Sequence, residues 1–265
     1  TKLFTNYINK IGVEYAQKGK GVNAYPFLDR YKRHIEKKYG KAHEYYYRAV
    51  HNLQLVLEDI GKLKEAEQIL KEVMEIQRDS LGEEHPIYLR TVNSLAGVYF
   101  YMNNYILAQP LAEEALRIRK KKIGENHPDY INSLTNLGLL LTELGRFTEA
   151  EETLLKALEL FCKNEISASW SLLNSIGSLY WDLGVFKQAE FYFQKALDLA
   201  EQKYGKEHPN YARAIGNLGA VYSDFGLNDK AETLLLKANE LLEVSYGEDS
   251  PQFWNSLNSL GVLYK

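Results

Sequence analysis

The chain has 265 residues, 45% hydrophobic and 25% charged, a balance that excludes disordered and fibrous classes. Its one cysteine, Cys162, excludes an internal disulfide framework and suits a reducing, cytoplasmic setting. A net charge of −3 gives no global case for nucleic acid, although residues 1–48 hold 11 Lys/Arg against 4 Asp/Glu, net +7, which leaves −10 on the rest.

That basic opening segment reads as a solvated helix face rather than a ligand site. No apolar run approaches the roughly 18 residues that span a bilayer, and no signal peptide opens the chain, so no membrane partner is expected. The first residue is Thr1 rather than Met, which reads as a piece of a longer protein.

Taken in chain order, the predicted elements recur. His43, His85 and His127 stand 42 residues apart, and His208 to Ser250 is 42 again. Ala66, Ala108 and Ala150 keep the step, and Ala189 and Ala231 continue it after one unit of 39. Gly12, Gln54, Ala96, Gly138, Gly177, Gly219 and Gly261 form a further row. Six complete units follow, approximately 1–39, 40–81, 82–123, 124–162, 163–204 and 205–246, with a half unit at 247–265. Repeats of this length stack so that each unit buries its apolar face on its neighbours.

Each unit reads as two helices. In "HPDYINSLTNLGLLLTELG", Leu134, Leu137 and Leu141 recur at i, i+3 and i+7. Gly145 ends that helix, and "RFTEAEETLLKALEL" follows with Ala150, Leu154, Ala157 and Leu158 at helical spacing. The small residues Gly138, Ala150 and Ala157 let the two helices approach closely. No segment asks to be a strand, so the class is all-α.

Leu137-Gly138, Gly145, Phe147, Ala150 and Ala157 resemble the tetratricopeptide repeat, as do Ile176-Gly177, Tyr180, Gly184, Phe186, Ala189, Phe193 and Ala196. The 42-residue unit and the Gly-x-x-His-Pro connector are similar to the kinesin-light-chain type. This resemblance implies a right-handed α-solenoid of antiparallel helix pairs that binds protein or peptide. The departures are a degenerate first unit and the unit entered through "FCKNEISASW", which lacks the connector and three residues.

The repeated histidines invite a metal reading, but zinc needs three or four donors converging within about 2.1 Å. Their 42-residue step separates equivalent side chains by a helix pair. The local reading is mechanical: Gly stops one helix, Pro starts the next, and His satisfies free backbone groups between them. Tyr88, Tyr130, Tyr211 and Phe253, which follow the prolines or Ser250-Pro251, fit packing between units. Cys162 has no nearby histidine and reads as a buried or inert thiol. Arg119-Lys-Lys-Lys122 reads as a solvated helix end. No cofactor, metal site or catalytic cluster is expected.

The candidate site is the other face of the first helices. Asn6, Lys10, Val13 and Gln17 open the row, and Arg48, Asn52, Leu55 and Asp59 continue it at i, i+4, i+7 and i+11. Later units present Arg90 and Ser94, Asn132 and Asn136, Asp182, then Arg213, Asn217 and Asp224, with Asn174 in the neighbouring row. Arginines stand at helix starts and acids at helix ends, against the macrodipole preference of about 0.3–1 kcal/mol each. Two structural explanations compete with function: pairing between adjacent repeats, and plain solvation.

If functional, the face is a charge-polarised groove that resembles the concave surface of tetratricopeptide arrays. Its asparagines donate to peptide carbonyls while its arginines hold acidic side chains or a free carboxylate. The expected function is a non-enzymatic protein- or peptide-binding scaffold. The alternative is the sensor or regulatory arm of a larger protease or signalling ATPase.

Overall fold

The structure, a computed structural model, describes residues 2–164, 169–248 and 250–264, with side chains from residue 7 onward. Those residues form helices and no strand: α1 (Lys2–Gln17), α2 (Gly21–Tyr39), α3 (Glu44–Asp59), α4 (Leu63–Leu81), α5 (Pro86–Tyr101), α6 (Tyr105–Ile123) and α7 (Pro128–Glu143). They continue with α8 (Phe147–Lys163), α9 (Trp170–Asp182), α10 (Phe186–Tyr204), α11 (Pro209–Asp224), α12 (Asn228–Tyr246) and α13 (Pro251–Leu263). Odd-numbered helices are the first of each pair and even-numbered helices the second. The all-α array of helix pairs expected from the periodicity is present.

Two compact units divide the chain. The first comprises Thr1–Leu111 with Val244–Pro251; within it α1 packs on α2, α2 on α3, and α4 on α5. The second comprises Ala112–Glu243 with Gln252–Lys265; within it α7 packs on α8, α9 on α10, and α10 on α11.

The connectors explain the repeated histidine. His43, His85, His127 and His208 are extended residues at the N-caps of α3, α5, α7 and α11. In each, imidazole Nδ1 accepts a hydrogen bond from the backbone N–H two residues on, at 3.1 Å. Pro86, Pro128 and Pro209 fill the first helical position, where no N–H is needed. Gly124, at φ +79°, ends the preceding helix in the left-handed region. Tyr88, Tyr130, Tyr211 and Phe253 are buried, as their place after the connectors suggested.

The 39-residue unit builds its turn differently. α8 and α9 have 17 and 13 residues, against 19 and 16 in α4 and α5. Ser169 replaces histidine as the cap, its hydroxyl accepting from the Leu172 N–H at 3.2 Å. Residues 165–168 of this connector lie outside the described residues.

A second tie joins successive pairs. Tyr99 donates its hydroxyl to Glu67 at 3.2 Å and Tyr180 to Glu151 at 2.7 Å. Tyr222 bonds to Glu190, and Tyr264 donates to Glu232. Each links the end of a first helix to the start of the preceding second helix. Where the register replaces this tyrosine by Leu57 or Leu141, the acid is replaced too, by Tyr25 or Gln109. The hydroxyl of a buried tyrosine such as Tyr99 or Tyr180 needs an acceptor; a leucine does not. Burial, then the bond to Glu151, pushes the Tyr180 phenol up to about 12.

The capping geometry gives a direct expectation. His127→Ala should lower stability by about 1 kcal/mol in urea denaturation at pH 8, whereas His127→Asn, which keeps an acceptor, should leave the midpoint nearly unchanged. Equal losses in the two variants would show that the ring packs rather than caps.

Candidate functional site

In the first unit the polar row lies on α3 and α5. Arg48 is exposed and pairs with Glu44 one turn earlier at 2.6 Å, both side chains more than half exposed, so the pair contributes little to stability. Asn52 is half-buried, its side-chain amide nitrogen 3.5 Å from the side-chain Oδ1 of Asn9 on α1, the limit of a hydrogen bond. Leu55 is 47% exposed. On α5, Arg90 is exposed and Ser94 half-buried. Burial, then the Arg90 charge, holds the neighbouring His51 imidazole below its ordinary range.

In the second unit the row lies on α7, α9 and α11. Asn132 and Asn136 of α7 are exposed. On α11 the row turns toward α9. The Arg213 guanidinium stands over the Trp170 ring, 5.3 Å from its centroid. Asn217 donates to Asn174 at 2.6 Å, and Trp181 Nε1 donates to Asp224. Asp182 is exposed, its carboxyl raised first by burial and then by the Glu143 charge.

The row therefore does two things. Its α11 members tie two first helices together at both ends and in the middle, one of the structural explanations weighed for its polarity. Its α3, α5 and α7 members Arg48, Leu55, Arg90, Asn132 and Asn136 face solvent. Trp170 and Trp181 belong to this arrangement and were not anticipated from the sequence. Each stands 43 residues before its partner, one register step plus one residue, and that offset is the signal that would have found them.

Arg119 departs from the sequence reading. It is buried rather than solvated, and its guanidinium donates to the Ser133 hydroxyl and the Asp129 carbonyl of α7. Lys120–Lys122 are exposed, as a solvated helix end would be. Cys162 is exposed rather than buried. Among the described residues no group of three His, Cys, Asp or Glu side chains is placed to hold a metal ion. No described helix is long and apolar enough to cross a membrane. The Asn6 side chain lies outside the described residues.

Helix pairs with a capped connector and an in-register polar face define a helical-repeat array. The tetratricopeptide repeat model matches residues 48–121, 90–163 and 167–243, and the chain belongs to that family. Comparison with curated proteins finds no match. Among solved structures, kinesin light chain TPR-like repeats from Podosopora anserina are 23% identical, with 74% of this chain and 94% of that chain covered at a TM-score of 0.52. BtubC (BKLC) from P. vanneervenii is 22% identical over 85% of this chain and 91% of its own, at 0.57. A Rap protein complexed with competence and sporulation factor is 13% identical over 100% of this chain and 88% of its own, at 0.61. At these identities the likeness is one of fold, and the fold matched includes arrays of the kinesin-light-chain type.

Glu58 interrupts the pattern on α3. Burial raises its carboxyl to about 8, against the bond from Gln54, with the Asp59 charge adding to the rise. Its Oε1 would lie 3.8 Å from a Cβ placed on Gly97 of α5. The folded chain keeps a proton that the unfolded chain releases near the ordinary value of 4.5, so stability falls as pH rises from there toward 8. Glu58→Gln, which cannot ionise, should melt higher than the parent at pH 8 and close to it at pH 5. Parallel melting curves across that interval would show that Glu58 ionises normally.

Proposed function

We propose that the chain is a non-enzymatic scaffold that holds an extended protein segment on the polar faces of its first helices. The observation that carries this reading is the exposed Leu55 on the same face as Arg48, with the exposed Arg90 on the next first helix. An exposed apolar side chain two turns along the face from Arg48, with Arg90 at the start of the next first helix, complements a segment that carries both apolar and acidic side chains or a free carboxylate. In the second unit, Asn132 and Asn136 are the donors suited to a peptide backbone, and Asp182 is the exposed acid. Asn174, Arg213, Asn217 and Asp224 act there by fixing α9 against α11.

A face fixed before binding loses less entropy when an extended segment docks. The solved Rap structure contains a bound factor, and its fold matches the whole of this chain. That likeness supports a binding role. The particular segment and its chemistry rest on the residues above.

The experiment is selection of a random-peptide display library on the intact chain, followed by titration of the selected peptide. Sequences rich in Asp, Glu or a free C-terminus are expected. Arg48→Ala and Arg90→Ala should each weaken the selected peptide by about tenfold, equivalent to about 1.4 kcal/mol. Selected peptides without acidic groups, bound equally by both variants, would remove the assignment.

A further inference from the structure

A cavity of about 530 Å³ opens in the second unit between α10, α11 and α12. Leu197, Leu218, Leu234 and the ring of Tyr222 make its apolar floor, and Gln194, Asp229, Lys230 and Thr233 its rim. The volume is within the roughly 300–1,000 Å³ of ordinary ligand sites. Leu218 and Tyr222 lie about 120° and 160° round α11 from the Arg213–Asn217–Asp224 row, taking about 100° per residue. This is a different face from the one assigned to peptide binding.

The rim polar groups have unequal claims on the fold. The Gln194 amide is bonded to Asp198 at 2.8 Å. The Thr233 hydroxyl donates to the Asp229 carbonyl at 2.8 Å. Asp229 is an acid in the first turn of α12, where the helix dipole favours a negative charge. The Tyr222 hydroxyl is taken by Glu190.

Lys230 has no such local purpose. It is a cation at a helix start, where the dipole disfavours it. Among the described residues it meets no carboxylate; its ammonium stands 5.7 Å from the Tyr222 ring centroid, at the cavity wall. Repeat packing does not require it either, since the register places Leu107, Glu149 and Gln188 at the equivalent position.

We infer that this cavity binds a compact apolar group carrying a carboxylate, the apolar part on Leu197, Leu218 and Leu234 and the carboxylate on the Lys230 ammonium. The chemistry is that of an acylated apolar amino acid, whether as a small molecule or as the C-terminal residue of a peptide. An ammonium beside an aromatic wall at the cavity mouth can give a carboxylate a charge-assisted hydrogen bond.

The test uses the intact chain with ¹³C-labelled leucine methyl groups, titrated with N-acetyl-L-phenylalanine and with its C-terminal amide. Methyl shifts at Leu197, Leu218 and Leu234 are expected, with the acid binding at least about fivefold tighter than the amide. Lys230→Gln should bring acid and amide to equal affinity without moving the melting curve, since Lys230 is exposed. Arg48→Ala should leave this titration unchanged, which separates its outcome from that of the peptide face. A short peptide ending in a free phenylalanine that binds tighter than the small acid identifies the source as a chain terminus; weaker binding identifies a small molecule. Equal affinity for acid and amide in the parent chain, or no shift at the three leucines, would overturn the inference.

Discussion

The close approach of the two helices within a pair is the constraint on which the rest depends. A Cβ on Gly138 would lie 2.5 Å from Leu154, one on Gly177 2.6 Å from Phe193, and one on Gly219 2.8 Å from Leu235. In the first unit Gly12 meets Leu28 at 2.7 Å by the same measure. A large side chain of the second helix sits where the first helix offers no side chain, and both are buried. That interlock fixes which face of the first helix turns inward, and so which face is left for the polar row.

Other interactions act on this frame rather than create it. The capping histidines set where α3, α5, α7 and α11 begin, by satisfying one backbone N–H. The Tyr–Glu ties fix where α5, α9, α11 and α13 end against the preceding pair. Between these points the outward residues of α9 and α11 face one another at a constant offset, so an arginine over an indole and an asparagine pair form there. Polarity that looks unfavourable for an isolated helix is balanced by contacts between helices.

What was legible in the sequence followed from strict periodicity. Gly138, Ala150 and Ala157 repeat on a fixed step, so their role in close packing needed no coordinates. The capping role of His127 was legible for the same reason, because a 42-residue step cannot bring equivalent ligands together. Arg119 was misread because only its neighbours Lys120–Lys122 are solvated, and a run of like charges hides the one member that turns inward. Glu58 and Gln54 were invisible as a pair, since burial of an acid at a position otherwise held by other residue types leaves no periodic mark. The Tyr–Glu ties were missed for a different reason. Their partners belong to separate rows, and only the joint replacement at Leu57 with Tyr25, and at Leu141 with Gln109, betrays them. Which exposed members of the polar row remain available to a partner depends on contacts between helices, which no single row displays.

A double-mutant cycle on Gly138 and Leu154 tests the interlock most directly. The third repeat supplies the design, since it carries alanine at both equivalent positions, Ala96 and Ala112. Gly138→Ala should destabilise the chain through the clash, and Leu154→Ala should cost about 2–5 kcal/mol through the cavity it leaves. The double variant should recover at least about 1 kcal/mol relative to the sum of the two, measured by urea denaturation. Additive losses would mean that the pair does not interlock, and that the orientation of the polar face is set by something else.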